Sequence, residues 1–141
     1  MSGIHKHEDA APAAVTERFF GMLGLCRRAG KTVLGTEMIC KQMREKNKPV
    51  LVLIASDVSE NTRSKLIGKS IFYSIPYIVV EVHGGKLAGC VGKVGFLAAV
   101  AITDRRFAHE IENACKRRES SDEGDGPIPM DRGVAYGTED R

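Results

Sequence analysis

A chain of 141 residues, 43% hydrophobic, without Trp and with a formal net charge of +3, has the bulk of one domain with its own core. No apolar run approaches the roughly 18–20 residues of a membrane span. Cys26, Cys40, Cys90 and Cys115 show neither C-x-x-C nor metal-like spacing, so membrane-spanning, disulfide-stapled and zinc-module classes are set aside. Each cysteine lies in an apolar or helical stretch, where a free thiol packs as a small hydrophobe, which fits a reducing compartment. The first residues lack the apolar core of a signal peptide, and a cytoplasmic location is expected.

The modest net charge conceals a division. Ser2 to Arg118 holds 19 Lys+Arg against 11 Asp+Glu, whereas Glu119 to Arg141 holds 2 against 7. A basic compact domain carrying an acidic tail calls for a polyanionic partner, nucleic acid ahead of an acidic membrane. The tail is expected to be disordered, and able to fold back on the basic face at low salt.

Residues 1–15 read as a loose leader without periodicity, 16–117 as the folded domain and 118–141 as the acidic tail. His5, His7, Glu8 and Asp9 in the leader lack the rigid support that a metal site needs. A first helix starts at Thr16 or Glu17, runs through Phe19, Phe20 and Leu23, and ends at Gly30. Thr32–Leu34 is a short strand, and a charged helix over 36–46 follows it. Val50–Ala55 is a continuous apolar run after Pro49, the pattern of a strand buried on both faces. Asp57 with Glu60 resembles a capping box for a helix through Leu66 and Ile67, stopped by Gly68. Tyr77–Val82 is a strand, Lys86–Val91 a short helix, and Phe96–Thr103 a further strand. Asp104 caps a last helix with Phe107, Ile111 and Cys115 on one side. Strands alternating with helices indicate an α/β domain with helices on both faces of one sheet.

The charged helix is the most informative element. Glu37, Lys41, Arg44 and Lys48 recur at i, i+4, i+7 and i+11, so they share one face. Arg27, Arg28 and Lys31 crowd the turn before it, and Gly35 opens it. A glycine-opened helix start beside cations suits a phosphate backbone, because free N–H groups and mobile cations point the same way. The plainer alternative is a solvated face with a Glu37–Lys41 surface pair.

Enzyme chemistry finds little support. Gly30-Lys31-Thr32 lacks the upstream glycine of a phosphate-binding loop, since Leu25 holds that position, and Gly92-Lys93 fails in the same way. Ser56-Asp57 ends a buried strand, where catalytic groups often sit, but both types also start helices. No Ser/His/Asp or Cys/His set assembles, and no cofactor or metal is called for.

Three blocks carry a family resemblance: Gly24-Leu-Cys-Arg-Arg-Ala-Gly-Lys-Thr-Val-Leu-Gly35, Val50-Leu-Val-Leu-Ile-Ala-Ser-Asp-Val-Ser-Glu-Asn-Thr-Arg63, and Gly92-Lys-Val-Gly-Phe-Leu-Ala-Ala-Val-Ala-Ile-Thr-Asp104. In this order they resemble the bacterial YlxQ-like branch of the L-seven-Ae/L-thirty-e ribosomal-protein superfamily, over about Glu17 to Cys115. The resemblance implies a three-layer α/β/α sandwich around a four-stranded mixed sheet. It also implies non-catalytic binding of structured RNA, kink-turn-like or ribosomal, with association to the ribosome or a translation factor, and neither DNA nor membrane as partner. Carried over by position, Gly35, Thr36 and Glu37 enter the RNA groove, with Lys41 and Arg44 on the following turns. Lys93, Val94, Gly95 and Phe96 pack near an extruded nucleotide, and Ser56 and Asp57 lie close to the same sheet edge. Kink-turn specialists usually carry Asn before the Glu and Lys three residues after it; Thr36 and Cys40 stand there instead. Thr36 offers a single hydrogen bond in place of a bidentate amide contact. For Phe96, core packing at a strand start is the alternative to base stacking. A protein-interaction module that kept the fold without RNA specificity is the alternative function.

Overall fold

The computed structural model describes residues 12–116, and the mixed sheet at its centre is set by four apolar segments. They are β2 (Thr32–Leu34), β3 (Leu51–Ala55), β4 (Tyr77–Val80) and β5 (Ala99–Ile102), in spatial order β2-β5-β3-β4. β5 runs antiparallel to both its neighbours, with Val33 opposite Ala101 on one side and Leu53 opposite Val100 on the other. β3 and β4 are parallel, with Leu53 opposite Ile78. Every residue of β3 and β5 is buried, as a strand covered by helices on both faces requires. Edge strand β4 instead alternates, burying Ile78 and Val80.

Five helices complete the layers: α1 (Glu17–Arg28), α2 (Thr36–Met43), α3 (Glu60–Phe72), α4 (Gly84–Cys90) and α5 (Arg105–Asn113). α2 and α3 pack together on one face of the sheet; α4 and α5 pack against β5 on the other, with α1 laid across them. Phe19, Leu23, Ile39, Met43, Leu66, Ile67, Leu87 and Ile111 are the large buried side chains that these helices send to the core. A two-stranded ribbon pairs β1 (Ala14–Val15) with β6 (Cys115–Lys116), and Ala13 bridges to Val80. Ala13, Ala14 and Val15, within the stretch read as leader, are therefore part of the paired structure. His5 and His7, and the acidic tail from 118 onward, lie outside the described residues.

Element boundaries differ from the sequence reading for local reasons. α2 stops at Met43 rather than 46, because the Lys48 ammonium turns back to donate to the Met43 carbonyl at 2.8 Å and the Glu45 carbonyl at 3.3 Å. α3 is capped by Ser59, whose Oγ accepts from the Thr62 N–H at 3.2 Å, and not by Asp57. It passes through Gly68, since Leu66, Ile67 and Ser70 are buried around that position and outweigh the roughly 1 kcal/mol propensity cost of glycine. Its true stop is a Schellman turn: Ile75 N–H reaches the Ser70 carbonyl at 2.7 Å and Ser74 N–H the Ile71 carbonyl at 3.1 Å. β4 ends at Val80, where Val82 N–H folds back on the Val80 carbonyl at 2.8 Å. Asp104 caps α5 as the sequence indicates, accepting from Phe107 N–H at 3.1 Å.

Two consequences can be measured. Ser74 holds the left-handed position of the Schellman turn with φ 58°, a conformation that favours glycine. Ser74→Gly should raise unfolding free energy by about 0.5 kcal/mol, the strain relieved less the extra chain entropy; an unchanged urea midpoint would refute this. Burial of Cys26, reinforced by the Asp104 charge and opposed by Lys31, pushes its thiol from 9.0 up to about 12. The folded pKa is raised, so the contribution is complete below pH 9 and is lost as pH rises from 9 towards 12. Between pH 8 and 10 the wild type should lose about 1 kcal/mol more stability than Cys26→Ala.

Candidate nucleic-acid interface

The sheet topology brings three loops to one end. β2, β3 and β4 finish there and β5 starts there, so Gly35, Ser56 and the 95–98 segment become neighbours despite their separation in sequence. Gly35 N–H donates to the Ala99 carbonyl at 3.1 Å, and Ala55 N–H to the Ala98 carbonyl at 2.9 Å. Ser56 N–H donates to the Val82 carbonyl at 3.0 Å, which adds the β4–α4 connection.

Gly35 has φ 91°, so only glycine turns the chain here without strain. It is the N-cap of α2, and no side chain caps that helix, unlike α3 and α5. The first-turn N–H groups of α2 therefore keep free hydrogen-bonding capacity at its positive dipole end. Thr36 is half-buried beside them, while Glu37 and Met38 are exposed.

Asp57 is tied down. Its Oδ1 accepts from Gly84 N–H at 2.8 Å, which caps α4 from a different loop. Gly84 in turn seats Phe96: a Cβ at residue 84 would overlap the Phe96 ring. Leu97 N–H donates to the Gly84 carbonyl at 3.0 Å and closes the loop on the same residue. Phe96 thus lies with its ring against backbone and is still 56% exposed, neither core nor free. The rest of the loop, Gly92, Lys93, Val94 and Gly95, is exposed, with φ 74° at Gly92 and 100° at Gly95. Its base is held where Arg27 Nε donates to the Val91 carbonyl at 3.2 Å and Lys93 N–H to the Ala88 carbonyl at 2.8 Å.

Gly35, Thr36, Glu37, Ser56, Asp57, Gly95 and Phe96 accordingly share one end of the sheet, and Lys93 and Val94 lie on the loop that leads to it; Arg27, beside Arg28 at the end of α1, meets only the base of that loop. Lys41 is exposed one helical turn beyond Glu37. The other cations do not converge with them. Arg44 is the C-cap at the far end of α2, where its guanidinium reaches back to the Cys40 carbonyl at 3.4 Å. Arg28 and Lys31 precede β2, whose other end carries Gly35, so they lie at the opposite end of the sheet. Charges of both signs surround the helix start: Glu37, Asp57, Glu60 and Glu81 follow the ends of β2, β3 and β4, and so do Lys41, Arg63 and Lys86, with Lys93 ahead of β5. Sequence reasoning missed Gly84 as the seat of Phe96, and no local signal marks it. It also passed over Arg105 and Arg106, visible only as a doublet after Asp104.

A profile of the ribosomal protein L7Ae/L30e/S12e/Gadd45 family matches residues 18–112. The chain belongs to this family. Its relatives include the RNA-binding protein YlxQ of Bacillus subtilis (strain 168), 37% identical over 93 residues, which span 66% of this chain and 90% of that protein. The RNA-binding protein YlxQ of Enterococcus faecium is 37% identical over 60 residues, 43% of this chain and 57% of its own. These place the chain in the YlxQ-like branch. Among solved structures, a protein of unknown function from Bacillus halodurans superposes with a TM-score of 0.59 at 28% identity, over 67% of this chain and 96% of its own. The Giardia lamblia 15.5kD RNA binding protein superposes with a TM-score of 0.57 at 14% identity, over 69% of this chain and 84% of its own, and so shares the fold.

The Gly84 seat is directly testable. Gly84→Ala should lift the Phe96 ring and loosen the family loop while leaving the sheet intact, with trypsin cleavage after Lys93 faster by roughly threefold or more. Unchanged cleavage would mean that the loop is held by its backbone bonds alone.

Proposed function

We propose that this protein is a non-catalytic binder of structured RNA that works in the cytoplasm, on kink-turn-like or ribosomal RNA, in association with the ribosome or a translation factor. The observation that carries the reading is the meeting of the uncapped α2 start with the exposed Phe96 at one end of the sheet. The RNA-binding names of the YlxQ relatives give it its direction.

Each group then has a task that its chemistry suits. Glu37 accepts from base amino groups, the one useful role for a carboxylate in an RNA groove. Thr36 adds a single hydrogen bond, and the free N–H groups of α2 face a phosphate. Phe96 stacks on an unpaired base, its ring already fixed against Gly84. Lys41, Lys93 and Arg27 hold phosphates on the flanks, while Ser56 and Asp57 shape the edge. Asp57 is already engaged with Gly84 N–H, which argues against its service as a nucleophile or base.

A second reading draws on the four carboxylates around the helix start, which repel phosphate: a protein-interaction module on the same scaffold. One titration separates the two. A kink-turn RNA and a control with its G·A pairs replaced are titrated with the full chain across a salt series. The RNA reading expects about tenfold or greater preference for the kink-turn, most of it lost in Glu37→Ala, since one base contact is worth about 1–3 kcal/mol. Equal, salt-dependent binding of both would leave a general backbone binder, and no binding of either would favour the interaction module.

A further inference from the structure

The end of the sheet opposite the helix start is strongly cationic. Thr103 fastens the α1–β2 turn to the end of β5, its N–H and hydroxyl both donating to the Lys31 carbonyl at 3.0 and 3.2 Å. Val50 N–H donates to the Ile102 carbonyl at 2.7 Å and brings the α2–β3 connection to the same end. Besides Lys48, which is held by the Met43 and Glu45 carbonyls, six exposed cations sit on these segments, Arg28, Lys31, Arg44, Lys46, Arg105 and Arg106, against two carboxylates, Glu45 and Asp104. Asp104 is already committed to Phe107 N–H. Among the described residues the one ion pair, Arg18 with Glu110, involves none of the six.

Arg105 and Arg106 are the telling pair. They fill the first turn of α5, which holds no acidic residue, where the helix dipole repels cations; their acidic neighbour, the N-cap Asp104, is spent on Phe107 N–H. Folding alone would be served better by Asp or Glu at both positions. Cations set against a dipole, next to Arg28 and Lys31 and without a carboxylate partner among the described residues, are stabilised by a polyanion from outside.

We propose that this cationic end, centred on Arg28, Lys31, Arg105 and Arg106, is a second RNA-binding surface that grips a duplex backbone, so that one molecule joins two RNA elements. Three of the four are arginines, whose planar forks match phosphate oxygens in pairs. The two surfaces are separate. The four residues of β5 hold them about 10–13 Å apart before the loops are added, facing opposite ways. An anionic membrane fits less well. The exposed apolar Ile71 and Phe72 at the end of α3 share this end of the sheet, Phe72 edge-on to the Tyr73 ring that Lys48 covers, but they lie on its α2–α3 side, whereas the four cations lie on the α1–α5 side.

RNA as the occupant rests on the reading above, and the test keeps the two apart. The full chain and its Arg105→Glu/Arg106→Glu variant are titrated with a labelled RNA duplex of about 20 base pairs, free of G·A mismatches, at low salt. Glutamates suit the start of α5, so the variant should melt no lower than wild type. Duplex affinity should fall by about fivefold or more with a shallower salt slope, and Arg105→Lys/Arg106→Lys should restore most of it. Kink-turn RNA on a surface, saturated with wild type, should capture the labelled duplex, and the Glu variant should capture much less. If wild type ignores kink-turn RNA but its duplex binding depends on the two arginines, the second surface stands and the helix-start reading fails. Duplex binding indifferent to the charge reversal overturns the proposal. So does a variant that keeps the duplex but loses co-sedimentation with phosphatidylserine vesicles.

Discussion

The buried strand β5 organises everything else. It is antiparallel to β2 and β3, its four residues are fully enclosed, and its two ends bind different loops. At one end the Ala99 carbonyl takes the Gly35 N–H; at the other Thr103 takes up the Lys31 carbonyl. The α2 start and the α1–β2 turn are separated by one three-residue strand, yet they face opposite ways because both are pinned to this partner. Shifting β2 by one residue against β5 would exchange the faces of all its side chains and move Gly35 off its anchor.

Much of this was legible in the residues. The unbroken run before Ser56 identified a doubly buried strand, and a glycine after a short strand identified the α2 start. The boundaries that went astray depended on partners far away in sequence. Asp57 carries the right side chain to cap the helix after it, but Ser59 takes that place and Asp57 caps α4 from across the sheet edge, 27 residues on. Gly68 looks like a stop signal, yet packing on both sides of it sustains α3 until a non-glycine residue accepts a positive φ. The convergence of Arg28, Lys31 and Arg44 with the helix start failed for the same reason. Charge spacing on one helix can be read locally, whereas strand direction decides at which end of a sheet a turn lies.

Phe96 illustrates how a surface residue becomes precise. An exposed aromatic on a loop, directly after two positive-φ glycines, should sample many positions. Here the ring is placed by a missing side chain at Gly84, and Gly84 is placed by the Asp57 hydrogen bond. Three residues from three loops therefore act as one unit, and a change at any of them reaches the others without touching the helix start. On the RNA reading this gives a pre-set stacking platform, which lowers the ordering cost of binding.

The distribution of charge separates two tasks that nucleic-acid binders usually combine. Phosphate contacts supply salt-sensitive affinity and base contacts supply selectivity. On the RNA reading, Glu37, Asp57, Glu60 and Glu81 offset Lys41, Arg63, Lys86 and Lys93 around the helix start, so indiscriminate attraction there is weak and selectivity rests on base groups that meet Glu37. On the same reading, the arginines at the far end of β5, which hold no ion pair among the described residues, are placed to supply affinity. On the two proposals together, a reading edge and a cationic gripping edge on one small scaffold make selectivity and affinity independently adjustable, because substitutions at one end lie too far from the other to share its contacts.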